Sequence, residues 1–564
     1  MASQGVQILI LFTGLAATPA QQVGKYNPEV HVPLPMKYCT KAGCHPMPSH
    51  LTLDANWRWL HKQGSIQNCY VGNHWVKKIC RNPMVCTNQC ALDGIDLDTY
   101  KQVYGVVAQV NNGVQLTYAN PKGSIGSRLY AMANPQTYRV FHLLNREFTF
   151  DVDLSHLPCG LNGALYFVEM PANGGRGRRG NKAGAKYGTG YCDAQCPRDT
   201  KFPGGVANLK GWGNKKPMGK TGSCCAEMDM WEANRDGAAF TAHPCKIKGQ
   251  ALCEGEDCGN QETREVGKCD LDGCDFNSWR LGNRSFYGPG PKFAVDTTKP
   301  FTVVTQFLTN DGTDTGDLLE IRRFYMQGGR VINNSEVTNV PKPTGAGGGL
   351  GGGKFDSITE EFCSAQKTTF GDSNGFEQLG GLKQMGEALK RGMVLVISLW
   401  DDSLTDMKWL DAEAKNATED PDKPGVSRGP CKVDWGKPKD LRKHSPKAHV
   451  KFADIRLGAI GSTTKAGSNL PTGSANPNME VFAKFDDTQL DQRDFSVKKV
   501  PTFMPGMLSP MANILTLMGA VLALVLLVYR AWQFAAGRPA RHVFVRTEQC
   551  NYDMVEDRRA TATA

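Results

Sequence analysis

Ser223-Cys224-Cys225-Ala226-Glu227-Met228-Asp229-Met230-Trp231-Glu232-Ala233-Asn234 is the stretch around which the rest of the chain is organised. It places three carboxylates within six residues, directly after two adjacent cysteines and around a tryptophan. Clustered carboxylates repel one another, so a sequence that concentrates them uses them to bind a cation or to shift a proton. They alternate here with Met228, Met230 and Trp231, which fits a half-buried strand better than a solvated acidic turn. On a straight strand Glu227 and Asp229 share one face and Glu232 points away. Five residues at about 3.3 Å each would also hold the two glutamate Cα atoms roughly 17 Å apart. If both glutamates serve one site, the chain bends or bulges between Asp229 and Glu232. Two carboxyls brought together in this way suit glycosidic bond cleavage, one attacking or stabilising and the other donating a proton.

Working outward, the body of the chain reads as β-structure. Arg146–Leu154 alternates Phe148, Phe150, Val152 and Leu154 with polar residues, and Ala164–Val168, Phe301–Phe307 and Met393–Ile397 are short β-branched or aromatic runs. With 62 glycines among 564 residues, these many short strands predict a sandwich, helical only over about Phe376–Lys390. Of the 19 cysteines, 18 fall between Cys39 and Cys431, an even count that predicts a disulfide framework in an oxidising compartment. A zinc reading is weak, because paired C-x-x-C units at zinc spacing and an H-E-x-x-H arrangement are both missing. The net charge of +10 is dispersed and does not indicate a nucleic-acid partner. The basic run Gly174–Gly180 and the glycine-rich Gly345–Gly353 read as solvated loops.

Glu227-Met228-Asp229-Met230-Trp231-Glu232-Ala233-Asn234 resembles the active-site signature of glycoside hydrolase family 7, the cellobiohydrolase and endoglucanase cellulases. Asp54–Trp59, Leu157–Phe167, Lys186–Asp199, Ser285–Gly290 and Met393–Asp402 extend the resemblance over residues 21–464. It implies a concanavalin-like β-jelly roll, all-β with a few short helices, whose concave face and long loops form a cleft or tunnel. It implies a retaining cellulase that hydrolyses β-1,4-glucosidic bonds, exo-acting and releasing cellobiose, monomeric and without metal or organic cofactor. Glu227 would be the nucleophile, Glu232 the general acid/base, and Asp229 the partner that orients Glu227 and holds its pKa low. Nine bridges are implied, including Cys159–Cys431, Cys192–Cys225 and Cys196–Cys224.

The same resemblance assigns a sugar path. Trp57, Trp59, Trp400 and Trp409 fall on stacking positions, where an indole offers a pyranose face a rigid apolar platform. Arg58, between Trp57 and Trp59, is assigned to the same path as a substrate-binding residue. Arg128, Asn162, Tyr166, Tyr191, Asp193, Gln195 and Lys201 would line the non-reducing side. Arg264, Asp272, Arg280 and Arg428 would hold the leaving product, and His243 would sit near the acid/base. Asn260 and Leu404 stand where roofing tyrosines often meet, so a looser roof is expected. Three alternatives remain open: an endo-acting glucanase, a lectin-like glucan-binding protein that has lost catalysis, and a carboxylate cation site.

The ends carry their own signals. Met1–Ala20 has an apolar core and an Ala-Thr-Pro-Ala end, the pattern of a secretory signal. Residues 465–510 read as a stalk, and Met511–Tyr529 is a run of 19 uncharged residues, close to the ~20 a membrane span needs. Arg530, Arg538, Arg541 and Arg546 follow it, which places residues 530–564 in the cytoplasm and the disulfide-rich domain outside or in a lumen. A single-pass type I membrane protein is therefore expected, with Asn283, Asn333 and Asn416 as candidate glycan acceptors and Cys550 alone in the tail.

Overall fold

The computed structural model describes residues 21–464 apart from 110–111, 121–123, 214–216, 260–266 and 343–353. Met1–Ala20, the stalk, Met511–Tyr529, the tail and Cys550 lie outside the described residues, as do Asn260, Arg264 and Gly345–Gly353. Among the described residues no helix is long and apolar enough to cross a membrane.

Two large sheets form the body. One runs Val106–Gln109, Gly113–Thr117, His449–Ala459, Arg146–Asp153, Phe301–Thr309, Leu318–Gln327 and Arg330–Asn333, with the Met36–Thr40 and Gly43–Met47 strands attached. The other, here the site sheet, runs Val32–Pro33, His50–Leu53, Ser127–Asn134, Met393–Asp401, Leu161–Val168, Glu227–Ala233, Ala238–His243 and Cys274–Phe276. Strand alternation explains how they pack. Phe148, Phe150 and Val152 point from the first sheet into one core with Leu165, Phe167, Leu395, Ile397 and Trp231 of the second. The Phe148 and Phe167 rings meet edge to face at 5.1 Å.

The opposite face of the site sheet is also partly covered. Ala164, Tyr166, Val168, Val394 and Val396 lie in a second apolar cluster with Tyr130, Met132, Tyr191 and Cys192. Leu161–Val168 is consequently buried at every position, so its sequence, apolar from Ala164 to Val168, shows no alternation.

Helices are short but more numerous than the sequence reading allowed. The expected helix over Phe376–Lys390 is two pieces, Gly375–Gln378 and Gly381–Arg391, broken at Gly380 in the left-handed region with φ 98°. Glu360–Phe370 was missed, although Thr359 caps it through the Phe362 N–H and Gly371 closes it at φ 69°. Its apolar stripe is narrow, which hides the 3.6 period. Among the described residues nine disulfides join the cysteines within Cys39–Cys431, including the three pairings expected.

Candidate active site

The Glu227–Ala233 strand carries the bulge that its parity requires. Against Leu161–Val168, Asp229 faces Tyr166 and Trp231 faces Leu165, so Met230 is skipped. Against Ala238–His243, Asp229 faces Thr241 and Glu232 faces Ala239, three steps on one strand against two on the other. The extra residue sends Met228, Met230 and Trp231 all into the inter-sheet core and returns Glu232 to the face of Glu227 and Asp229. Trp231 anchors the bulge. It is fully buried, with the rings of Phe150, Tyr287, Phe301 and Tyr325 around it at 5.8 to 6.4 Å.

Each carboxyl has a distinct setting. The Ala194 N–H donates to Glu227 Oε2 at 3.1 Å. That amide is placed by Cys192–Cys225 and Cys196–Cys224, which staple the Tyr191–Cys196 segment to the carboxylate strand. Asn162 donates from Nδ2 to Glu232 Oε1 at 3.0 Å, while its Oδ1 accepts the Ala233 N–H. His243 Nε2 lies 3.0 Å from Asp229 Oδ2, and its Nδ1 meets the Asp270 carbonyl at 2.8 Å. With both ring nitrogens facing acceptors, the imidazolium fits. Burial works against that charge, but the bond to Asp229 and the charge of Asp229 push His243 up to about 9.

Burial and then Asp229 push both Glu227 and Glu232 well above the usual carboxylate range. The expected role of Asp229 in holding Glu227 low is therefore corrected: Asp229 is paired with His243, and its charge acts on Glu227 in the opposite direction. Glu227, Asp229 and His243 present ligand atoms within 4.8 Å of one another, the one set on this face that could meet a cation among the described residues. The proton that His243 holds up to about pH 9 competes with such a ligand at neutral pH.

Residues 23–464 match Glycosyl hydrolase family 7. The chain belongs to this family. It is similar to a GH7 family cellobiohydrolase from Daphnia pulex, at 46% identity and a TM-score of 0.74 over 78% of this chain and 100% of that one. A cellobiohydrolase from Melanocarpus albomyces complexed with cellotetraose is 40% identical, with a TM-score of 0.70 over 78% and 99%. A Humicola insolens endocellulase is 36% identical, with a TM-score of 0.65 over 78% and 100%.

On this family 7 scaffold the assigned path residues fall into three groups. Some surround the carboxyls directly: Asn162 and His243 as above, and Tyr166 with Tyr191, whose hydroxyls are 2.9 Å apart. Beside them burial pushes Asp193 up to about 6. Arg128 lies 3.4 Å over the Tyr191 ring and 5.4 Å from that of Trp57, and Asp54 holds it with its Oδ2 2.8 Å from Nε. Others are exposed or half-buried. Gln195 and Asp272 are exposed, and Lys201, which burial lowers to about 8, donates to the Asn56 carbonyl. Trp400 and Trp409 are half-buried and stack at 6.2 Å, and Trp59 is fixed by a 2.7 Å bond from Nε1 to Asn68.

A third group is closed in. The Arg58 side chain has 0% exposure and is spent on Glu29 at 2.5 and 2.8 Å, Thr52 and the carbonyls of Leu53 and Asp93. The expectation that Arg58 binds substrate is corrected, since it braces the turn that carries Trp57 and Trp59. Arg280 is 2% exposed and bridges Asp275 and Asp372, with Arg428 reaching the same Asp275 at 3.4 Å. Asp54, Glu29, Asp275 and the Ala194 amide were not singled out from sequence. Asp54 stood beside Trp57 in a quoted block, whereas a backbone amide carries no side-chain signal at all.

Proposed function

We propose that the chain is a cellulase that hydrolyses β-1,4-glucosidic bonds, acting from chain ends to release cellobiose with retention of configuration. The observation that carries this reading is the bulge, which puts Glu232 on the face of Glu227 and Asp229. In the first step Glu232 gives its proton to the glycosidic oxygen while the Glu227 carboxylate attacks the anomeric carbon from the other side. In the second, Glu232 takes a proton from water as that water displaces Glu227, and both carboxyls return to their starting state. Raised pKa values suit Glu232 as acid. The mechanism needs Glu227 ionised, and the Ala194 N–H stabilises its charged form, as Asn162 does for Glu232 once it has given up its proton. Similarity to cellobiohydrolases at 46% and 40% identity supports the exo mode.

An endo mode has its own support: Leu404 is 69% exposed where a roofing tyrosine would stand, and an endocellulase is among the similar structures. Product analysis on cellulose and on a soluble cellulose derivative separates these readings. Cellobiose with slow viscosity loss is expected. Rapid viscosity loss with little cellobiose would make it an endoglucanase, and inactivity on both polymers would leave a binding protein.

The same reading extends to location. A single-pass type I topology, with the catalytic domain outside or in a lumen, is supported by the apolar run Met511–Tyr529 and the arginines after it. Protease added to intact cells should remove the domain and spare a tag after Ala564. Loss of the tag with the domain protected would invert the topology, and solubility without detergent would remove the span.

A further inference from the structure

Arg323 is the other charge tied to the carboxylate strand, and it approaches from behind. It lies on Leu318–Gln327 of the opposite sheet, where Thr305 is its cross-strand partner. Its side chain crosses the apolar core, and the residue is 2% exposed. Nη2 donates to the Met230 carbonyl and, at 2.9 Å, to the Thr305 hydroxyl, which also accepts from Nε at 3.2 Å. The guanidinium rests 3.9 Å over the Phe240 ring and 5.9 Å from that of Trp231. Its partners are hydroxyl, carbonyl and ring, with the Tyr325 hydroxyl nearby, rather than a carboxylate.

A charge buried among rings without a carboxylate partner is costly, and its hydrogen bonds must offset that cost. What this one holds is the carbonyl of Met230, the residue that the Leu161–Val168 register skips and that the Ala238–His243 register leaves unpaired. That carbonyl sits between Asp229 and Glu232, so the peptide it fixes sets the direction in which Glu232 leaves the bulge. Thr305 fixes the guanidinium in turn, and Phe240 under it belongs to the strand that carries His243.

We propose that Arg323 is a positioning residue for the reaction, clamping the Met230 carbonyl from within the core so that the bulge presents Glu232 to the glycosidic oxygen. The inference rests on the hydrolase reading above. The test measures kcat and KM on a soluble cello-oligosaccharide for the wild type, Arg323→Lys, Arg323→Met and Thr305→Val, with thermal melts of each. Val303→Ala, a core truncation on the strand of Thr305, serves as the control for lost stability. Arg323→Met should lower kcat by at least about tenfold with KM nearly unchanged, since the lost contact acts through the acid and not through sugar binding. Arg323→Lys, which keeps one donor, should recover part of that loss. Thr305→Val retains the charge but frees the guanidinium, and should lower kcat by about two- to fivefold. Val303→Ala should melt earlier with unchanged kcat. If Arg323→Met does not fold, Arg323→Lys and Thr305→Val decide the matter, and wild-type kcat in both overturns the proposal. Equal kcat losses in Val303→Ala and the Arg323 variants would overturn it too. An inactive wild type would instead remove the hydrolase reading on which it stands.

Discussion

Asp229 and Asp275 sit on the same face of the site sheet, each paired in register with Thr241 of the strand between them, yet their surroundings drive buried carboxyls in opposite directions. Around Asp229 stand Glu227, Glu232 and one histidine, and burial together with like charge pushes both glutamates upward. Around Asp275 stand Arg280 and Arg428, and although burial disfavours its charge, they hold it down at about 2. The first arrangement stores repulsion where protons must move, and the second spends charge on holding the chain together. A buried carboxyl's function is thus legible from the sign of its neighbours rather than from its burial.

The largest expected effect comes from removing members of the repelling set. Glu227→Gln and Glu232→Gln should each lower kcat by about a thousandfold or more on cello-oligosaccharides, while melting at or above the wild-type temperature because a like charge is gone. A clear drop in melting temperature would mean that these carboxyls also hold the fold. Asp275→Asn should do the reverse. It removes the buried carboxylate that Arg280 and Arg428 share, leaving Arg280 with the Asp372 carboxylate, and should cost about 3–5 kcal/mol in urea unfolding at neutral pH. The folded pKa of Asp275 is depressed, so its contribution is complete above the unfolded value near 4 and fades as pH falls through about 2. The gap between the wild type and Asp275→Asn should close over that window.

Arg58→Met sharpens the contrast between structural and binding arginines. It should destabilise by an amount similar to Asp275→Asn, because Glu29 stays buried without its guanidinium, held by the Ile95 N–H and His31, while KM per folded molecule changes little. A large rise in KM with unchanged stability would return Arg58 to the sugar path. His243→Gln probes the opposite pH window. The His243 pKa is raised in the folded protein, so its contribution is complete below about 6.5 and lost as pH rises through about 9. The wild type should lose stability across that range, and His243→Gln should lose up to about 3 kcal/mol less. The smallest effect is expected for Trp59→Ala, a rise in KM of a few-fold on long chains, with short substrates unaffected.

Much of this contrast could be read before the structure. The bulge followed from parity once both glutamates were assigned to one site, since they are an odd number of residues apart and a straight strand would separate them. The stapling disulfides were legible only through the family resemblance, which paired Cys192 with Cys225 and Cys196 with Cys224; the cysteine spacing alone left the pairing open. Arg58 was misread because adjacency to Trp57 and Trp59 says nothing about which way an arginine turns, and Glu29, its partner, lies 29 residues away. Asp275, Asp372 and Arg323 were invisible for the same reason: their meaning comes from partners up to 153 residues distant in sequence. The pKa of Glu227 was misjudged because burial, which the sequence does not show, raises it first, and the charge of Asp229 then adds to the rise.

The central claim is that the bulge assembles a nucleophile and an acid/base on one face. It is tested most directly by following the anomers formed first from a soluble β-1,4-glucan by proton NMR, before mutarotation. The β-anomer should appear first and the α-anomer should grow only as solution equilibrium is reached. Initial α-anomer would show direct attack by water and contradict the assignment of Glu227 as nucleophile.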